Sequence, residues 1–268
     1  MRHPVPATTR HPGAAARALL ALGLLLAATP SRAVLQDEIQ VYLDDINKSG
    51  EFGLQMHLNA TPVGRETPDY PGEVVSAHGY RATAEFAYGL GHGLEAGLYV
   101  PTLVEPHGGF QVAGVKLRMK WVWLASEAHD GYFAGVNAEL GRVAARYEQP
   151  QTALELRFFA GHDGERWLLA CNPIFGFELS GAERRSAPDV QFDVKVARKV
   201  ATGLSIGGEY YPDFGRLNEH SAFREQDHRV FATLDLDRKP WVLNVGIGYG
   251  LTPAADRWTV KAIVNVPF

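Results

Sequence analysis

The chain has 268 residues, 46% of them hydrophobic and 21% charged, with a formal net charge of -4. That length suits one domain, the charge balance excludes the basic field of a nucleic-acid binder, and the lone Cys171 excludes an intramolecular disulfide. No internal apolar run reaches the ~18 residues of a spanning helix. A mean hydropathy of -0.13 is nonetheless compatible with a membrane barrel, whose strands show lipid an apolar residue only at every second position.

In chain order, Arg2, Arg10 and Arg17 precede an apolar stretch from Ala18 to Ala28, and Ser31-Arg32-Ala33 supplies a small-x-small exit. A basic region, a short apolar core and small residues at the exit describe a secretory signal peptide. Residues 1–33 are therefore expected to be cleaved, leaving Val34 first. Residues 34–50 carry Asp37, Glu38, Asp44 and Asp45, with a weak alternation of Ile39, Val41 and Leu43. They are expected to form an N-terminal periplasmic segment: a short strand, an entry segment or a strap across the barrel mouth.

From Glu51 the period becomes two. Phe52, Leu54, Met56, Leu58 and Ala60 alternate with polar residues, and the same pattern recurs over 80–90, 94–100, 113–121, 132–140 and 154–160. It continues over 167–179, 190–196, 204–210, 230–236, 241–249 and 258–268. Such alternation marks a strand with one dry face and one wet face. Across these twelve runs the apolar parity holds no Asp, Glu, Lys or Arg. The opposite parity holds Arg81, Glu85, Glu95, Lys116, Arg118, Lys120, Glu139, Glu155, Arg157, Glu178, Asp193, Lys195, Glu209, Asp235 and Lys261. Twelve strands with their apolar faces inward would need a very thick core. With those faces turned to lipid, where a midplane Lys or Arg costs about 2–4 kcal/mol, the charges line a lumen. The expected fold is all-β: a transmembrane up-and-down antiparallel barrel of about twelve strands over 51–268.

Connections agree with this plan. Thr61 to Gly79 and Pro212 to Asp227 are long, whereas Lys199 to Gly203 and Arg238 to Pro240 are brief; Val122 to Gly131 is longer than the pattern prefers. Long external loops and short periplasmic turns characterise outer-membrane barrels. Aromatic residues gather near strand ends, with Phe52, Tyr88, Trp121, Tyr132, Trp167 and Trp241 on one side and Tyr80, Tyr210, Tyr249 and Trp258 on the other. Their rings suit a membrane–water interface.

Phe268 ends the last alternating run, with Trp258, Val264 and Val266 before it. This resembles the C-terminal signal read by the barrel-assembly machinery. The stretch Glu38 to Tyr42, followed by Gly50 to Asn59, is similar to the opening of uncharacterised proteobacterial outer-membrane barrels akin to the phenol-degradation-pathway (MetA-type) family. The resemblance covers mainly the first strand and the overall plan. It implies a transport role, with hydrophobic or aromatic solutes by analogy, and supplies no functional residues to carry over.

Chemistry is sparse. The ten His residues are scattered without paired ligand spacing, so no metal or cofactor is expected. Ser76 and His78 share a loop with Asp69 and Glu73, yet no nucleophile-elbow motif accompanies them; no catalytic residue is expected. Lys116, Arg118 and Lys120 form a basic rung between strands bearing Glu95 and Glu139, suited to cross-strand ion pairs or to lining a narrow passage. The fifteen lumen charges, eight acidic and seven basic, predict no strong ion selectivity. The leading expectation is an outer-membrane channel for small solutes, in contact with outer-membrane lipid and lipopolysaccharide. A non-conducting structural or surface barrel is the alternative, and a membrane-embedded lipid hydrolase ranks below both.

Overall fold

The computed structural model describes residues 37–105, 109–127, 130–182, 184–219 and 221–266. The signal peptide, Val34, His129 and Phe268 lie outside the described residues. Thirteen strand segments follow one another: β1 (Phe52–Val63), β2 (Tyr80–Gly91), β3 (Leu94–Glu105), β4 (Gly109–Val112), β5 (Gly114–Leu124), β6 (Gly131–Val143), β7 (Thr152–Asp163), β8 (Trp167–Glu178), β9 (Asp189–Ala201), β10 (Leu204–Arg216), β11 (Asp227–Arg238), β12 (Trp241–Gly250) and β13 (Trp258–Val266). β4 and β5 both pair with β3, β4 opposite its end and β5 opposite its start, so together they make one stave interrupted at Ala113. Every other neighbour pair is sequential and antiparallel, and β13 returns to β1 with Leu54 opposite Val266 and Ala60 opposite Val260. The result is a closed up-and-down barrel of twelve staves. Closure leaves no edge strand, so backbone donors and acceptors along the wall find partners within it.

The register keeps each parity on one side. Leu58 sits between Ala82 and Ala262 on the outer face, whereas Asn59 sits between Arg81 and Lys261 on the inner one. Outward residues such as Leu98, Leu117, Met119, Phe158, Ile206 and Ile247 are exposed, Leu117 at 59%. An apolar belt this extensive has no counterpart on a monomer surrounded by water and is built for hydrocarbon. Phe52, Trp121, Trp167 and Trp241 are exposed near the short-turn end, with Tyr132 at 71%, and Tyr80 and Trp258 near the long-loop end. Trp123, beyond the alternation read from the sequence, joins the first group with its ring 5.6 Å from that of Trp121.

Several strands outrun their alternating cores. β5 continues to Leu124, which shortens the connection expected over Val122 to Gly131, and β10 reaches Arg216, which shortens the loop expected from Pro212. Past the apolar belt neither face meets hydrocarbon, so the periodicity fades while backbone pairing continues, as between Asp213 and Asp227.

Candidate functional site

The lumen is where the charged parity converges. Arg81, Glu85, Glu95, Arg118, Lys120, Glu139, Arg157, Asp193, Lys195, Glu209 and Lys261 are buried there, and Lys116 and Glu155 are partly so. Most are knitted across strands. Arg118 reaches Glu85 at 2.5 Å and Glu95 at 2.6 Å, and Lys116 reaches Glu139 at 3.3 Å. Arg157 reaches Asp193 of β9 at 3.7 Å besides Glu155 of its own strand at 2.9 Å, and Lys195 pairs with Glu209 at 3.1 Å and Asp235 at 2.7 Å; Glu209 also holds Lys261. The basic rung read from the sequence is thus largely spent on ion pairs. His57, fully buried on β1, adds its Nε2 to Glu85 at 3.0 Å.

The inner face is not wholly polar. Phe133, Phe159, Tyr99, Tyr211, Phe231 and Ile174 also point inward and are buried, Phe133 and Phe159 at 1% exposure. Glycines on adjacent strands make room for the rings: a Cβ on Gly161 would stand 2.3 Å from the Phe133 ring, and one on Gly135 would stand 2.1 Å from that of Phe159. Parity alone assigned these positions to the wet side, and nothing in the alternation separates an inward Phe from an inward Ser.

What those rings pack against is the chain's own N-terminal segment. Residues 34–50 were expected as a periplasmic segment in the form of a short strand, an entry segment or a strap across the barrel mouth; of their described part, residues 37–50, the stretch from Asp37 to Asn47 runs inside the barrel. Ile39, Val41 and Tyr42 are buried in one cluster with Val122, Phe133, Phe159, Ala170, Tyr211 and Phe231, and Leu43 and Ile46 pack beside it. Partners from opposite sides of a closed sheet can meet one segment only in the lumen. Asn59 of β1 donates to the Asp37 carbonyl at 3.2 Å, and Lys261 of β13 to that of Ile39 at 2.9 Å. Arg157 of β7 donates to the Gln40 carbonyl at 2.8 Å, and Lys120 of β5 to that of Asp45 at 2.7 Å. Asn172 of β8 takes both sides of Tyr42, accepting its N–H at 2.6 Å and donating to its carbonyl at 3.1 Å. Glu95 of β3 accepts from the Asn47 N–H and side-chain amide, both at 2.7 Å.

Side chains of the segment are held as well. The Tyr42 hydroxyl meets that of Tyr99 at 2.7 Å, and its ring lies 4.6 Å from the Arg157 guanidinium and 5.1 Å from the Lys120 ammonium. Asp37 pairs with Lys116 at 2.9 Å, and Asp44 accepts from the Ser126 N–H and hydroxyl at 2.7 and 2.8 Å. The segment starts level with the middle of β1 and descends to the short-turn end, where Gly50 bonds to Gly89 and the chain reverses into β1. The nine residues of the buried cluster are each at most 7% exposed.

Toward the long-loop end, Ser76 is buried and donates its hydroxyl to Asp256, while its oxygen accepts from the Arg65 N–H at 3.1 Å. Arg65 in turn is held by Asp69 and Glu73. Ser76 anchors the loop between β1 and β2 to the one before β13, and His78 points to solvent. Glu148, in the β6–β7 connection, has its carboxyl pushed up by burial, against the pull of Lys116 at 3.6 Å. Among the described residues no cluster of His, Cys, Asp and Glu is placed to hold a metal ion. Trp258, Val264 and Val266 lie on the outer parity of β13, opposite Tyr249, Leu243 and Leu54 respectively in the ladders to β12 and β1 where each is paired.

No family model matches the sequence, and no curated protein matches it. Solved structures do match the fold. The COG4313 outer membrane channel from Pseudomonas putida F1 aligns at a TM-score of 0.59 with 12% identity, over 86% of this chain and 100% of that one. The KdgM porin aligns at 0.54 with 10% identity, over 81% and 99%, and the NanC porin at 0.51 with 9% identity, over the same shares. These likenesses concern the barrel. The narrower resemblance to the phenol-degradation-pathway family finds no support among them.

Proposed function

We propose that the protein is an outer-membrane channel for small solutes, shut in the described state by its own residues 37–47. The observation that carries this reading is an inner segment held by side chains within a wall held by backbone pairing. A filler attached in this way can leave without unpairing a strand. The apolar belt, the aromatic ends and the signal-like N-terminus support export to the outer membrane, with lipid and lipopolysaccharide around the wall. The resemblance of the C-terminal strand to an assembly signal supports insertion by the barrel-assembly machinery. Similarity of fold to two porins and a channel supports conduction; a hydrophobic or aromatic solute rests on the phenol-pathway resemblance alone.

The filled lumen itself favours a second reading, a non-conducting structural barrel. Planar-bilayer recording decides between them. The full-length protein is expected to show long closures with rare openings, and Tyr42→Ala to raise the open fraction. Silence from both at every voltage, with barrels confirmed folded by their heat-modifiable migration on gels, removes the channel reading.

A further inference from the structure

The way the wall grips residues 37–47 carries information about what else the lumen can hold. Six wall side chains, Asn59, Glu95, Lys120, Arg157, Asn172 and Lys261, are directed at main-chain groups of the segment. Main-chain N–H and C=O groups recur in every peptide, whatever its sequence. Asn172 presents its amide to Tyr42 as a neighbouring strand would, one acceptor to the N–H and one donor to the carbonyl. Such a primary amide is the side chain best matched to a peptide group, since it carries the same donor and acceptor. Beside this line of main-chain partners lies a pocket for one aromatic ring, flanked by the Arg157 and Lys120 cations and by Phe159, with the Tyr99 hydroxyl at its base. Cations over a ring face and a polar atom at the phenol end select an aromatic residue.

We infer that the lumen is a binding site for a drawn-out peptide backbone bearing an aromatic residue, a site that the chain's own Asp37–Asn47 occupies. Oligopeptides are then the solute class that competes with this segment. Binding follows from the wall geometry alone; passage of the peptide rests on the channel reading above.

The test uses the full-length chain with Ile39→Ala and Tyr42→Ala, which weakens the resident segment and leaves the wall untouched. A fluorescein-labelled synthetic peptide with the sequence of residues 37–47 is titrated into the folded barrel and followed by anisotropy. Saturable binding is expected. Methylating the peptide nitrogen of its tyrosine, which deletes the N–H facing Asn172, should weaken binding about ten-fold, the size of one buried hydrogen bond with its unpaired partner. Adding Asn172→Leu to the barrel should weaken the unmethylated peptide by more than ten-fold, since the Tyr42 carbonyl loses its donor as well, and should abolish the difference between the two peptides, because the acceptor of the deleted N–H is then gone. Oligogalacturonate, the ligand named with one KdgM structure, should not displace the peptide.

No saturable binding, or equal binding of both peptides to the parent barrel, overturns the inference. Displacement by oligogalacturonate without discrimination between the peptides reassigns the lumen to saccharides and overturns it too. Should the double variant fail to fold, Ile39→Ala alone serves, with the same outcomes. Bilayer recording of the same sample keeps the two readings apart. Binding without current upholds the peptide site and removes the channel; current that the peptide leaves unblocked, with no binding, does the reverse.

Discussion

The wall and the segment it encloses are both drawn-out chain with alternating apolar residues, yet they are held by different forces. Along β1, every residue from Leu54 to Ala60 is paired with the main chain of both β2 and β13. Along residues 37–47, main-chain groups are matched by the ends of Asn, Lys, Arg and Glu side chains, and the apolar residues pack on aromatic rings. A ladder of backbone bonds is cooperative, and unpairing one stave in hydrocarbon would strand its polar groups. Side-chain contacts are separable, each worth a small share. Position in space, more than local sequence, decides which stretch is paired by main chain and which by side chains.

Substitutions can press on each side of this contrast. The largest effect belongs to Tyr42→Ala, which removes a buried ring with its cation and hydroxyl partners. Docking of the segment should weaken by about 3–5 kcal/mol, as for other buried aromatic truncations, while the barrel keeps its gel migration. Limited proteolysis reads this directly: cleavage within 37–47 should accelerate with the wall intact, and unchanged protection would mean the ring contributes nothing. Next comes Leu117→Arg on the outer belt, expected to cost about 2–4 kcal/mol if the site lies near the bilayer midplane. Gln55→Arg, on the inner parity opposite Asn265, is its partner experiment and should fold nearly as well as the parent in lipid vesicles. Equal yields for the two would contradict the register. Asn172→Leu is the smallest. It leaves the buried Tyr42 N–H and carbonyl without their partner, a loss of roughly 1–3 kcal/mol, and should raise proteolysis of the segment less than Tyr42→Ala does.

The barrel was legible because hydrocarbon imposes a hard rule on one parity. A charge at Leu58 or Leu117 is costly, so the outer face announces itself in every strand. The inner face obeys no comparable rule. Lys116 and Glu139 could be placed in the lumen from the sequence, but Phe133, Phe159 and Phe231 share their parity and were not distinguished. The inner segment was hidden for a related reason: Ile39, Val41 and Leu43 alternate as a weak strand would, and their burial depends on rings brought together from β6, β7 and β11. Asn59 and Asn172 carried no signal either, since an inward Asn is ordinary until a peptide group lies opposite it.

Asn59 and Lys261 face each other where the first and last strands meet, and they grasp the carbonyls of Asp37 and Ile39, two residues apart. The leader therefore straddles the seam, and its full set of holdfasts exists only once the cylinder has been stitched shut. An assembly intermediate with its final strand still unzipped lacks the Lys261 contact and keeps the other five wall side chains, so closure of the sheet supplies the last main-chain partner of the segment.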